Sequence, residues 1–168
     1  PPVPARAARV TAGGEVAPLV SQFETPHTST PKTQLLYNGR YGLMLTNAGG
    51  GYSRWKDISI TRWREDTTCD NLGTFCYLRD VASGKFWSTA YQPTLRQADT
   101  YEAIFSEGRA EFRRRDFDYD MHTEIVVSPE DDIELHRTRI TNSSRSRRTI
   151  DVTSYAEVVL APSASDAL

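Results

Sequence analysis

Residues 46–57, Thr-Asn-Ala-Gly-Gly-Gly-Tyr-Ser-Arg-Trp-Lys-Asp, and 61–66, Thr-Arg-Trp-Arg-Glu-Asp, join three consecutive glycines to a dense set of indole, phenol and guanidinium groups. Glycines let the backbone turn through positive φ and approach another surface closely. Aromatic faces and forked hydrogen-bond donors suit a polyhydroxylated ligand. The chemistry is that of a sugar site, with Tyr52, Ser53, Trp55, Arg62, Arg64 and Asp70 as the candidate contacts. The same spacing also fits a glycine-bearing hairpin or bulge whose aromatics are core and whose arginines cover them with their stems.

Catalysis by this chain alone is not expected. Inverting glycosidases hold two carboxylates roughly 6.5–9.5 Å apart, whereas an inverting phosphorylase needs one carboxylic acid and takes phosphate as its nucleophile. Composition cannot select one acid among 22. Glu65, Asp66 and Asp70 lie nearest the aromatic and basic segment, where Arg62 and Arg64 are expected to depress their pKa values and spoil them as general acids. No Ser-His-Asp arrangement is visible, and Gly49-Gly50-Gly51 lacks the lysine of a nucleotide-phosphate loop. No cofactor is called for.

Cys69 and Cys76 are the only cysteines, and no second Cys or His pair stands at zinc-like spacing, so no metal site is expected. Free, partly buried thiols are the expectation. His122 and His136 fall on adjacent predicted strands with Glu124 as the natural cross-strand partner, and His27 lies in a Pro/Thr-rich lead-in.

The formal net charge of −2 excludes the clustered uncompensated cations that a nucleic-acid partner requires. Arg113-Arg114-Arg115 stands beside Glu111, Asp116 and Asp118, and Arg145, Arg147 and Arg148 fall in a Ser-rich turn. Both groups are expected to be solvated, locally neutralised edges or loops. No stretch approaches the roughly 18 apolar residues of a membrane helix, and no signal sequence opens the chain.

The elements that would position the candidate residues read as strands. Residues 1–30 carry scattered Pro and Gly with no sustained period and are expected to form an irregular or extended arm, leaving 31–168 as the folded domain. Tyr41–Thr46 is a short apolar run ended by Asn47 and the glycines. Residues 75–79 and 85–88 flank a turn at 80–84, and residues 101–105 and 110–113 form a second pair. Residues 123–127, 133–140 and 149–160 follow, separated by turn-forming sequences. In the last of these, Ile150, Val152, Ala156, Val158 and Leu160 share one face, which is expected to be buried, opposite Asp151, Thr153, Tyr155 and Glu157. Strands recurring about every 10 residues without sustained helical spacing predict an all-β, antiparallel two-sheet β-sandwich.

The ordered series of residues 35–41 (Leu-Leu-Tyr-Asn-Gly-Arg-Tyr), 47–55, 61–66, Tyr77-Leu78-Arg79-Asp80 and Phe86-Trp87-Ser88 resembles the start of the phosphorylase-type region of cyclic β-1,2-glucan synthases. It is also similar to cellobiose and chitobiose phosphorylases of glycoside hydrolase family 94, where Gly-Gly-Tyr-Ser and Thr-Arg-aromatic-Arg patterns sit at comparable spacing. The similarity runs from about Pro26 to the C-terminus and is more specific than any single glycine motif.

The resemblance implies a galactose mutarotase-like supersandwich, longer in the family than here, that precedes a helical catalytic barrel carrying the acid. It implies β-glucan and inorganic phosphate as ligands of the whole enzyme, and a location on the cytoplasmic face of an inner-membrane polypeptide. The chain opens on Pro1-Pro2 without an initiator methionine, and we read it as part of such a polypeptide. Three roles remain open: a non-catalytic domain that shapes the glucan site of the adjoining barrel, an autonomous module stacking glycan rings on Trp55, Trp63 or Trp87, and a structural or homodimer-forming domain.

Overall fold

The computed structural model describes residues 19–64, 70–162 and 165. Among these residues the fold is all-β. The strands are β1 (Ser21–Phe23), β2 (Thr33–Tyr37), β3 (Tyr41–Thr46), β4 (Gly51–Trp55), β5 (Ile58–Thr61), β6 (Thr74–Asp80), β7 (Phe86–Ser88), β8 (Thr100–Ser106), β9 (Arg109–Asp116), β10 (Tyr119–Val127), β11 (Glu134–Asn142), β12 (Ile150–Ala156) and β13 (Val158–Pro162).

Hydrogen bonding divides them into three antiparallel sheets, ordered β1-β8-β9-β10-β11, β12-β6-β7 and β13-β5-β4-β3-β2. The expected pair of sheets survives as a pair of layers. Ile150 to Ala156 pair with β6, and Val158 to Pro162 pair with β5, so β5 and β6 lie end to end against one nearly continuous strand. The ladder breaks around Glu157, between Val158, which pairs with Thr61 of β5, and Ala156, which pairs with Thr74 of β6. The two smaller sheets are therefore consecutive halves of the layer that faces β1-β8-β9-β10-β11.

The period-2 pattern explains the packing. Leu43 and Leu45 of β3 and Leu36 of β2 meet Tyr101, Ala103, Phe105, Ala110, Phe112 and Ile125 of the facing sheet in one buried cluster. Leu78 and Trp87 meet Tyr119 and Met121 in a second. Trp87 is fully enclosed, with the rings of Tyr119 and Phe117 5.3 and 5.7 Å away. Such edge and tilted contacts add specificity to the area they bury. The lead-in contributes β1, which pairs with β8 and sets Phe23 5.6 Å from Phe105; residues 1–18 lie outside the described part.

Three sequence expectations are corrected. The apolar alternation of 150–160 is not matched by burial: Val152, Val158 and Leu160 are 56%, 63% and 64% exposed, and in β13 the half-buried residues are Val159 and Ala161. β12 and β13 end their sheets, and Ile150 at the start of β12 packs against the cluster of Leu78, Trp87, Tyr119 and Met121.

Arg113 and Arg115 are exposed and paired with Glu102, Glu111 and Asp120 as expected, but β9 is an interior strand between β8 and β10 rather than an edge, and Arg114 turns inward. Arg114 is only 2% exposed and makes a bidentate pair with Asp116, at 2.6 and 2.7 Å, while also donating to the carbonyls of Ala90 and Arg96. A buried guanidinium is tolerated there because its donors meet a carboxylate and two carbonyls.

His122 bonds Glu111 at 2.7 Å rather than Glu124, since Glu111 reaches the ring from the neighbouring strand β9. His136 instead bonds Glu134 on its own strand at 3.2 Å. Cys76 is a free, half-buried thiol, and Cys69 lies outside the described residues. No described helix is long and apolar enough to cross a membrane.

Candidate functional site

The glycine run builds a turn and admits two neighbours. Gly49 takes φ +96, and its N–H closes the turn on the Thr46 carbonyl at 2.9 Å. A Cβ at Gly49 would lie 2.3 Å from that of Ala90, and one at Gly50 would lie 2.0 Å from Asp70 Oδ1. Both positions therefore require glycine for close packing of the 70 and 90 segments. The glycines touch protein, and their contacts leave no cradle for a phosphate.

Strand alternation then divides the six candidate residues. On β4, Ser53 and Trp55 point toward the other layer while Tyr52 points outward. Ser53, 1% exposed, donates to Glu134 Oε2 at 2.6 Å, and the Tyr41 hydroxyl donates to the same oxygen at 3.1 Å. Trp55 Nε1 donates to Asp132 at 2.6 Å, and Arg40 Nε reaches the other oxygen of that carboxylate at 2.9 Å. Asn38 donates to the carbonyls of Ser128 and Asp131.

Together these bonds clamp the β2–β3–β4 end of one layer to the 128–134 turn of the other. Burial pushes the Glu134 carboxyl up, but hydrogen bonds from His136, Ser53 and Tyr41 outweigh it and the net shift is downward. Burial and the Glu134 charge push the Tyr41 phenol up to about 12.

Asp70 sits beneath the glycine turn, where its Oδ2 accepts from the Thr46 hydroxyl and its buried Oδ1 has no partner. Burial raises its pKa, contrary to the expectation that Arg62 and Arg64 would depress it. Arg62 is occupied elsewhere, and Glu65 and Asp66 lie outside the described residues. A raised carboxyl suits general-acid work. Asp70, however, is closed off by Gly50, which leaves no room for a glycosidic oxygen at Oδ1.

On the outer face, the Tyr52 ring lies 5.2 Å from that of Trp63 at an interplanar angle of 52°; Trp63 is an indole the candidate set omits although it stands between Arg62 and Arg64. Arg62 pairs with Glu157 at 2.9 Å, and Glu157 in turn accepts from the Tyr155 hydroxyl at 3.1 Å. The Tyr155 ring stands 6.3 Å from that of Tyr77. Arg64 is exposed. Thus Tyr52 and Arg62 join Trp63, Glu157, Tyr155 and Tyr77 in one aromatic and charged row, whereas Ser53, Trp55 and Asp70 belong to the interior. Period-2 parity on β4 is the signal that separates Tyr52 from Ser53. Tyr155 and Glu157 enter the row only through strand pairing.

Elsewhere, Glu111, His122 and Glu124 bring ligand atoms within 4.8 Å of one another. Arg109 and Arg113 pair with Glu111, and Arg137 and Arg109 with Glu124. Those guanidinium groups already supply the positive charge a cation would bring, so the cluster does not fit a metal.

The family model described as glycosyl hydrolase 94, supersandwich domain, matches residues 17–168. The cyclic beta-(1,2)-glucan synthase NdvB of Rhizobium meliloti (strain 1021) is 39% identical over 149 residues, covering 89% of this chain and 5% of that protein. The N,N'-diacetylchitobiose phosphorylase of Vibrio furnissii is 29% identical over 147 residues, covering 84% of the chain and 18% of the relative. The solabiose phosphorylase of Paenibacillus borealis is 26% identical over 147 residues, 83% of the chain and 19% of the relative. The chain thus spans between 5% and 19% of the length of these relatives.

Proposed function

Starting from the fact that the chain belongs to the glycosyl hydrolase 94 supersandwich family, we propose that it is a non-catalytic domain whose outer face shapes the glucan site of an adjoining catalytic domain. The observation that carries this reading is the tilted Tyr52–Trp63 aromatic pair, whose indole follows Arg62, the partner of Glu157, in the chain. It is a partly exposed aromatic platform flanked by a forked donor and a carboxylate acceptor. Such a surface holds a saccharide ring by its apolar face and by its hydroxyls.

The names of the relatives, a cyclic beta-(1,2)-glucan synthase, an N,N'-diacetylchitobiose phosphorylase and a solabiose phosphorylase, support a glucan as ligand and phosphate as the second substrate of the whole enzyme. The chemistry is assigned to the adjoining domain, because Asp70, the raised carboxyl of the candidate set, is enclosed beneath the glycine turn. This chain's part is to orient the acceptor. Sites between domains favour that division, since each wall supplies contacts the other lacks.

The test is Trp63→Ala and Arg62→Ala in the full-length enzyme. We expect kcat/KM for the glucan to fall by on the order of 10- to 100-fold, the cost of a lost stacking or charge-assisted contact. Melting should shift little, because the Arg62–Glu157 pair is about one-third exposed at each partner. Normal kinetics with a large loss of melting temperature would assign the platform to fold stability instead.

A further inference from the structure

The outer face of β12-β6-β7 repeats the chemistry of the Tyr52–Trp63 platform. Strand register sets Phe86 of β7, Arg79 of β6 and Asp151 of β12 side by side in one row, and pairs Tyr77 with Thr153 in the next row on the same face. Tyr77, Arg79, Phe86, Asp151 and Thr153 line a groove of about 340 Å³ there. Its parts do little for the fold. Phe86 is 56% exposed. Arg79 donates to Asp151 Oδ2 through Nε and Nη2, at 3.1 and 2.8 Å, and both side chains stand half in water. An ion pair so open to solvent adds little to stability.

The groove is continuous with the platform. The Tyr77 ring lies 6.3 Å from that of Tyr155, the Tyr155 hydroxyl donates to Glu157 Oε1 at 3.1 Å, and Glu157 Oε2 meets Arg62 at 2.9 Å. From Asp151 to Glu157 the chain advances about 20 Å, at roughly 3.3 Å per residue of strand. Each end of that row joins two aromatic rings to one arginine–carboxylate pair: Tyr52 and Trp63 with Arg62–Glu157, and Tyr77 and Phe86 with Arg79–Asp151.

We propose that the groove is a second saccharide subsite, holding a more distant unit of the glucan chain whose nearer unit meets the Tyr52–Trp63 platform; the proposal rests on the glucan-site role assigned to that platform above. Phe86 and Tyr77 offer ring surface to the apolar face of a sugar, and the Arg79–Asp151 fork offers donors and an acceptor to its hydroxyls. Charge favours a neutral ligand over a charged partner. Each arginine of the row is matched by its own carboxylate, so the face carries no net charge to steer either sign, while its hydrogen-bonding groups stay within reach of water. The separation of the two ends exceeds a single sugar ring, so one chain must supply both units.

The experiment compares the dissociation constants of the full-length enzyme for a long linear β-1,2-glucan, which spans both ends of the row, and for a short one, which reaches only one. Arg79→Ala and Phe86→Ala, made separately, are each expected to lower the preference for the long glucan by about 10-fold, the size of one stacking or charge-assisted contact. Trp63→Ala should weaken both lengths. Melting should shift little, because the substituted side chains of the groove are exposed. A length preference unchanged in both groove variants, with Trp63→Ala still weakening both glucans, would overturn the second subsite and leave the platform in place. Equal losses for long and short glucan in the groove variants would also overturn it. Unaltered affinities in all three variants would overturn the platform along with the second subsite.

Discussion

The two ends of the sandwich treat the same kind of sequence in opposite ways. At the β2–β3 and β8–β9 end, Leu36, Leu43, Leu45, Phe105 and Phe112 alternate with polar residues and are buried against the facing layer. At the β11 and β12–β13 end, Val152, Val158 and Leu160 recur at even spacing in the sequence but remain exposed, and the ladder is irregular between Val158 and Ala161. The difference teaches that apolar alternation does not by itself secure burial, which depends on whether a partner layer stands opposite. Polar residues show the same contrast. Ser53 and Trp55 are drawn into a clamp because the 128–134 turn stands opposite them, whereas Arg79 and Asp151 on the outer face pair in solvent at 2.8 Å.

The comparison can be broken most forcefully at the closed end. Phe105→Ala leaves a cavity that cannot collapse and should cost roughly 3–5 kcal/mol, measured as the shift of a denaturant midpoint at constant slope. A loss below about 1 kcal/mol would mean that this end is as loosely covered as the other.

The clamp is sharpened by Glu134→Gln, which should cost on the order of 1–3 kcal/mol near neutral pH. Because the Glu134 pKa is lower when folded than its ordinary 4.5, its contribution is present above the unfolded value and lost as pH falls through the folded one. The stability gap between wild type and Glu134→Gln should therefore close on acidification. A gap that stays constant down to about pH 2 would remove the carboxylate from the clamp.

The smallest effect belongs to the open end. Val158→Ala in this chain should change stability by no more than about 0.5 kcal/mol, as at other exposed positions. A loss of about 2 kcal/mol would show that the edge is covered already within these residues.

How much was legible in the sequence can be argued from particular strands. β8 and β9 were readable because a turn at 106–108 separates two short alternating runs. Arg114 was not. Three adjacent arginines look alike in one dimension, and only strand parity, together with the Ala90 and Arg96 carbonyls brought across by the 88–96 segment, turns the middle one inward. His122 likewise took its partner from β9 at a distance the chain order does not reveal. In the candidate site, Tyr52 and Arg62 reached the outer face together, while Ser53, Trp55 and Asp70 went to the interior.

By itself the sequence determined the all-β antiparallel class, the family and the approximate places of β3 and of the strands from β6 onward, but not β1, β2, β4 or β5. These follow from local turn chemistry, two-residue periodicity and an ordered motif series, and each is read within a dozen residues or along the chain. Tertiary structure alone decided that β5 and β6 share one partner strand, that Trp63, Glu157 and Tyr155 complete the outer row with Tyr52, and that Val152, Val158 and Leu160 are left exposed. Those outcomes depend on which distant segments stand opposite one another, and a pattern of residue types carries no information about the presence of a neighbour.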